Sequence, residues 1–367
     1  MTALWIAAAA GSFAAVLVIL VADRLKRRRD EAQAYLKGVR SVISGDPDAA
    51  IEALSDAARL GTPEAVETYL ALGALFRRTG DLSRAVRLHR NMLLGPALDP
   101  ARRSEVEREL AEDYRRSGML AEAAEIYERL APGGGAAAEG LREVRYEQGD
   151  LAGAAAVQRG LGTPGADRIL AHLLAAQARA EGASDPARGV ALAKEALTAF
   201  PSSADALLAL AEMEAARGGA GAALGALGKA LDVDPRTATM AWPALSRIGE
   251  AARVEAFVAE RLEARPEDAA LRLLRARALH RLGLNPAALA ELRRALEQDL
   301  SGEVTVAMRE LLREAEAPGP DDLSARHDLL VAALLRRARP LRCTACGAEV
   351  AARAWRCRRC GTYDSFP

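Results

Sequence analysis

The chain has 367 residues with 50 basic and 50 acidic side chains, so its formal net charge is zero and no chain-wide field draws it to polyanions. Half of its residues are hydrophobic, but aromatics make up only 4%, and Ala and Leu dominate the rest. Those two lose least on entering a helix, whereas strands draw on β-branched and aromatic side chains. An all-α body is therefore expected, long enough for two or three domains or for one solenoid with accessories.

Thr2 to Ala22 carry no charge. At about 1.5 Å per residue this run forms a helix of about 31 Å, which matches a hydrocarbon core of about 30 Å. Asp23 follows, then Arg24, Lys26, Arg27, Arg28 and Arg29. A secretory signal carries its positive charge before the apolar run, and here it comes after. Residues 2–22 thus read as a transmembrane anchor and 23–34 as a basic juxtamembrane linker. The basic flank holds the cytoplasmic side, which places the N-terminus out and the body in. A buried core helix or a cleaved signal is the competing reading.

Next comes a repeat. Glycines recur at 45, 80, 118, 149, 182, 218, 249 and 283, on average 34 residues apart. Prolines at 63, 100, 132, 164, 201, 235 and 266 form a second series with the same period, offset by about half. A glycine turning each helical hairpin and a proline ending its second helix account for both series. Small residues such as Ala85, Ala123, Ala223, Ala230 and Ala288 sit where paired helices must approach closely. Thirty-four is the tetratricopeptide period. Residues 35–300 are expected to form about eight such hairpins in a superhelical solenoid, and 301–338 two capping helices. Such arrays carry no chemistry of their own and offer a groove to a partner's peptide or helix. No phosphate loop, nucleophile elbow or HExxH helix accompanies them, so no catalytic residue is assigned and the reading is non-enzymatic. His89, His172, His280 and His327 lack ligand spacing and read as ordinary surface or half-buried residues.

All four cysteines lie near the end, as Cys343-Thr-Ala-Cys346-Gly347 and Cys357-Arg-Arg-Cys360-Gly361. Each C-x2-C loop lets two thiolates grip one metal, and the following glycine turns backbone N–H groups towards sulfur. Two loops close a tetrahedral site for one Zn(II) or Fe ion per chain, in a rubredoxin-like or zinc-ribbon domain at 339–367. Disulfides or redox-active pairs are the rival reading, disfavoured in the cytoplasm. So short a segment has no sufficient core, so the metal must organise it, with Trp355, Tyr363 and Phe366 packed around the site. Eight arginines between Arg336 and Arg359 face one acid, Glu349. This ribbon fits nucleic acid, anionic headgroups, an acidic partner, or simply a solvated surface packed on the array.

The order of span, repeat array and CxxCG knuckles resembles the lipopolysaccharide assembly protein B family. Tyr35-Leu36-Lys37-Gly38-Val39 with Ala49-Ala50-Ile51 is similar to that family's first hairpin. Leu72-Gly73-Ala74-Leu75-Phe76-Arg77-Arg78-Thr79-Gly80 and Arg84-Ala85-Val86-Arg87-Leu88-His89 are similar to its second, and Asp113-Tyr114 with Gly118 and Ala123 to its third. Arg339-Pro340 before Cys343 and Trp355-x-Cys357 resemble its rubredoxin-like tail, although Arg358 stands where the family has proline. The resemblance implies an inner-membrane, single-pass adaptor that regulates lipid A synthesis. It would do so by promoting proteolysis of the committed-step deacetylase through the membrane protease FtsH. Beside this adaptor reading stand an iron redox protein and a nucleic-acid-binding ribbon on a scaffold, the latter disfavoured by the zero net charge.

Overall fold

The computed structural model describes residues 16–26, parts of 29–40, 65–94, 98–298, 340–350 and 353–367. It divides into two compact units, Met1–Asp150 and Leu151–Pro367. The expected anchor falls mainly outside the described residues, as do most of the hairpin expected from Tyr35 and the capping helices expected at 301–338. Residues 16–26 are helical, with Val16 to Val21 at least half exposed. Among the described residues no helix is long and apolar enough to cross a membrane.

The first unit contains α1 (Ala65–Thr79), α2 (Leu82–Leu94), α3 (Pro100–Arg116), α4 (Leu120–Leu130) and α5 (Gly135–Glu147). Gly80 and Gly118, at φ +86° and +77°, turn α1 into α2 and α3 into α4 in a conformation that side-chain-bearing residues rarely adopt. Asp99 caps α3 by accepting from the Arg102 N–H, and Pro100 occupies its first turn. Leu72, Leu75 and Phe76 of α1 pack with Ala85 of α2. Arginines late in one first helix reach acids on the next. Arg77 donates to Glu109 and Asp113 at 2.6 and 2.7 Å, and Arg115 to Glu147 at 2.6 Å. Gly73 lets α1 and α2 close on each other, because a Cβ there would overlap the buried ring of His89.

The second unit runs through α6 (Leu151–Arg159), α7 (Ala166–Gly182), α8 (Pro186–Ala199), α9 (Ala204–Ala216), α10 (Ala220–Val233), α11 (Trp242–Arg247), α12 (Ala251–Ala264), α13 (Ala269–Arg281) and α14 (Asn285–Gln298). Its apolar seam passes through Leu208, Leu227, Leu245, Val258 and Leu271. Each is almost fully buried, and each such side chain contributes about 1.5–3 kcal/mol.

Pro132, Pro201 and Pro266 follow the second helices α4, α8 and α12, whereas Pro100 opens the first helix α3. The glycine series is less uniform than its spacing suggests. Gly149, Gly218 and Gly283 have positive φ, but Gly182 and Gly249 do not. Gly182 ends α7 against Gly189 of α8 and Met213 of α9, so it serves close packing and not a left-handed turn. The seventh hairpin departs further. Pro235 opens a 3-10 turn, Pro235–Met240, and Pro243 sits at the start of the six-residue α11, so the first helix is broken in two.

Candidate metal centre

Two equivalent hairpins build the C-terminal site. In the first, β1 (Leu341–Arg342) pairs antiparallel with β2 (Glu349–Val350), Leu341 opposite Val350. In the second, Arg356 bridges Tyr363. Between the paired segments each chain turns alike. The Cys343 N–H donates to the Ala348 carbonyl at 2.9 Å, and the Cys357 N–H to the Thr362 carbonyl at 2.8 Å. Gly347 and Gly361, at φ +71° and +76°, return their N–H groups to the carbonyls of Cys343 and Cys357. A side chain would oppose that backbone, which is why each CxxC ends on glycine.

These turns bring the four sulfurs within 4.8 Å of one another, with Cys343 to Cys360 and Cys346 to Cys357 both at 3.7 Å. No pair is at disulfide distance, and all four thiols are free. Four sulfurs at about 2.3 Å around a tetrahedral ion stand about 3.8 Å apart, so the cage fits a single metal ion. The electrostatics agree. The Ser365 hydroxyl and the N–H groups of Cys346 and Ala345 lower the Cys343 pKa to about 6. At Cys346 the Ala348 N–H favours the thiolate, but burial and the crowded sulfurs override it and push the pKa up to about 12. Four thiolates therefore cannot coexist there without a cation. Phe366 is buried against Cys343 and Cys357 and fills the small core.

Trp355 and Tyr363 do not pack around the sulfurs as expected; they turn to the helical array. The Tyr363 ring stacks on His172 of α7, with centroids 4.8 Å apart and planes at 16°, and Trp355 lies 5.8 Å from the same ring. Asp364 follows Tyr363 at φ +49°, the only left-handed non-glycine among the described residues. Its Oδ2 accepts from His172 Nε2 at 2.8 Å and from Arg168 Nε at 2.8 Å. On its other side His172 Nδ1 lies 2.7 Å from Oδ2 of the buried Asp205 of α9, which also accepts from Arg179 at 2.7 Å. Both ring nitrogens face carboxylates, so both donate and the ring is an imidazolium. Burial pushes the His172 pKa down, but the hydrogen bonds to Asp205 and Asp364 outweigh it and raise the pKa to about 9. A second tie joins Arg353 to Asp234 at 3.1 Å.

His89 and His172 are thus buried partners of Asp113 and Asp205, not the surface or half-buried residues expected. Among the described arginines of that run, Arg353 is drawn inward to Asp234 and Arg342 pairs with Glu349, while Arg358 and Arg359 are exposed. In the first unit, a groove of about 490 Å³ lies between α2, α3 and α4, lined among others by Arg87, Arg90, Leu94, Tyr114 and Arg129.

Comparison with known proteins follows the same division. Residues 342–367 match the rubredoxin metal binding domain family, and residues 42–99 match the tetratricopeptide repeat family. Lipopolysaccharide assembly protein B of Escherichia coli K12 is 29% identical over 109 residues, and the proteins of that name from strains O6:H1 and O157:H7 match equally. That stretch covers 29% of this chain and 28% of the relative, so the chain matches under a third of the length of these relatives. Among solved structures, a tetratricopeptide repeat protein from Parabacteroides merdae is 17% identical. It covers 77% of this chain and 99% of its own, with a TM-score of 0.37. The TPR2AB domain of yeast Sti1 is also 17% identical, covering 81% of this chain and 98% of its own, with a TM-score of 0.30. The chain is therefore similar to lipopolysaccharide assembly protein B, with tetratricopeptide-type helical hairpins and a C-terminal rubredoxin-type domain fit for one metal ion.

Proposed function

We propose that the chain is a non-enzymatic adaptor of the inner membrane that regulates lipopolysaccharide synthesis. In this reading residues 2–22 span the bilayer with the N-terminus out. The hairpins hold protein partners on the cytoplasmic side, and Cys343, Cys346, Cys357 and Cys360 ligate one Zn(II) or Fe ion. The observation that carries it is the Asp364–His172–Asp205 tie, which docks the metal knuckle on the helical hairpins of the second unit. The ion supplies a cross-link between the two knuckles and offsets their thiolate charge, while Phe366 and the knuckle turns hold the four sulfurs in place.

Similarity to lipopolysaccharide assembly protein B supports the pathway, and the partners in this proposal are the membrane protease FtsH and the deacetylase that commits precursor to lipid A. Adaptor action needs no chemistry from the array. Anchoring raises the effective concentration of client and protease in the plane of the membrane. The experiment is deletion of residues 1–29. The remaining chain should stay helical and bind its client, yet the client's lifetime in cells should rise severalfold, as in a chain-free strain. An unrelated N-out span should restore turnover. Normal turnover with the soluble chain at native abundance sinks the membrane-adaptor reading.

A second reading, a rubredoxin-like redox protein, draws on the exposure of Cys360 beside three more shielded sulfurs. Reversible reduction of a bound iron at one electron per chain supports it, and a chain loaded only with zinc in cells excludes it.

A further inference from the structure

Asp364 is held as a ligand is held. Three donor nitrogens converge on its Oδ2: Nε and Nη2 of Arg168 at 2.8 and 2.6 Å, and Nε2 of His172 at 2.8 Å. The imidazole cannot turn away, because Asp205 fixes its opposite nitrogen, and Asp205 is itself fixed by Arg179. The neighbouring Tyr363 lies flat on the imidazolium, a favourable face for a cation. These receptor groups all belong to first helices of the array, α7 and α9, while the carboxylate and the ring come from the knuckle. Without Asp364, the Arg168 guanidinium and the His172 Nε2 lose the carboxylate on which they converge, while Asp205 still holds the imidazole from its other side. The carboxylate also arrives on a left-handed backbone, a conformation that residues with side chains seldom adopt. The second knuckle, closed at Cys357 and Cys360, is what holds it in that shape.

We propose that Arg168 and His172 form a carboxylate-reading site on the array, plugged in cis by Asp364 of the metal-held knuckle. An acidic partner segment, with an aromatic residue just before its acid, enters when the knuckle lets go. The inference rests on the metal reading above only for what closes the plug; the receptor site stands on the array alone. Losing the metal removes the order of residues 357–364, withdraws Tyr363 and Asp364 together, and exposes two preset donors. Because the plug and the partner compete for one site, partner binding and metal-held docking are antagonistic by the same factor in both directions.

The test uses the full chain and a fluorescein-labelled peptide copying residues 361–367, Gly-Thr-Tyr-Asp-Ser-Phe-Pro, followed by anisotropy. Metal-loaded wild-type chain should bind it at least tenfold more weakly than the Cys343→Ser/Cys346→Ser chain. Asp364→Asn, with its metal retained by elemental analysis, should also bind, which separates loss of the plug from loss of the metal. Changing the peptide's Asp to Asn, or the exposed Arg168 to Ala in the cysteine double variant, should weaken binding at least tenfold. Equal binding by wild-type and opened chains, no binding to either opened chain, or indifference to the carboxylate overturns the proposal. A chain that never holds metal yet binds the peptide through Arg168 would remove the metal reading and leave the site standing.

Discussion

At the scale of single residues, the tightest constraint in the first unit is the Gly73–His89 approach. His89 is fully buried, its Nδ1 sits 2.5 Å from Asp113, and its other face presses on the Gly73 backbone. Gly73→Ala places a methyl into that ring, and overpacking of this kind costs about 1–3 kcal/mol. Thermal unfolding should show the loss, and His89→Ala should recover part of it in the double variant because the two residues share one space. Additive losses would show that the ring does not set the cost. His172 gives a pH signature. Its folded-state pKa is raised to about 9 from an ordinary 6.5, so its contribution is complete below pH 6.5 and is lost as pH rises through about 9. The preference for the imidazolium amounts to on the order of 3 kcal/mol. In metal-loaded chain with Trp5→Phe and Trp242→Phe, Trp355 fluorescence should change between pH 7 and 10 while helical dichroism stays constant. His172→Gln should flatten that profile.

At the scale of elements, the knuckle and the helices draw on different sources of order. Cys343→Ser should release the metal and disorder the tail, since metal binding to so small a domain is worth on the order of 10 kcal/mol or more. Hydrogen exchange should accelerate across residues 341–367 and stay slow in α7 to α10; protection kept in both without metal would contradict the ligand assignment. How far these elements were legible depends on whether a residue's job is local. Gly80 and Gly118 answer a demand of their own turn, and Gly347 and Gly361 one of their own knuckle, so spacing revealed them. Gly182 shares the period but answers to Met213, which lies 31 positions on, and no local pattern distinguishes it. Pro235 and Pro243 were visible, yet the broken first helix was not, because burial of Ala238, Ala244 and Leu245 compensates for the lost helical bonds. His172 stayed unrecognised because Asp364 is remote in sequence. Asp205 was within reach, since it stands 33 positions away, one repeat period. Arg77–Glu109, Arg115–Glu147 and Arg179–Glu212 show the same offset of 32 or 33. A basic residue and an acid one period apart on first helices are a readable sign of contact.

At the scale of the whole molecule, those offsets also have a kinetic meaning. Most ionic ties between neighbouring hairpins close loops of about one period, whereas His172 to Asp364 closes one of 192 residues. Loop-closure entropy grows with the logarithm of length, so that closure costs about 1.5 kcal/mol more than a one-period contact. The hairpins can therefore zip from any nucleus, each next step being local, while the knuckle must find its place by diffusion over a long tether. Refolding of metal-loaded chain should show a fast helical phase and a separate, later change at Trp355. Asp364→Asn should alter only the second, speeding undocking while leaving the first unchanged. The array is then a finished surface before its own tail arrives, and during that interval the tail is one competitor among others for the same few side chains.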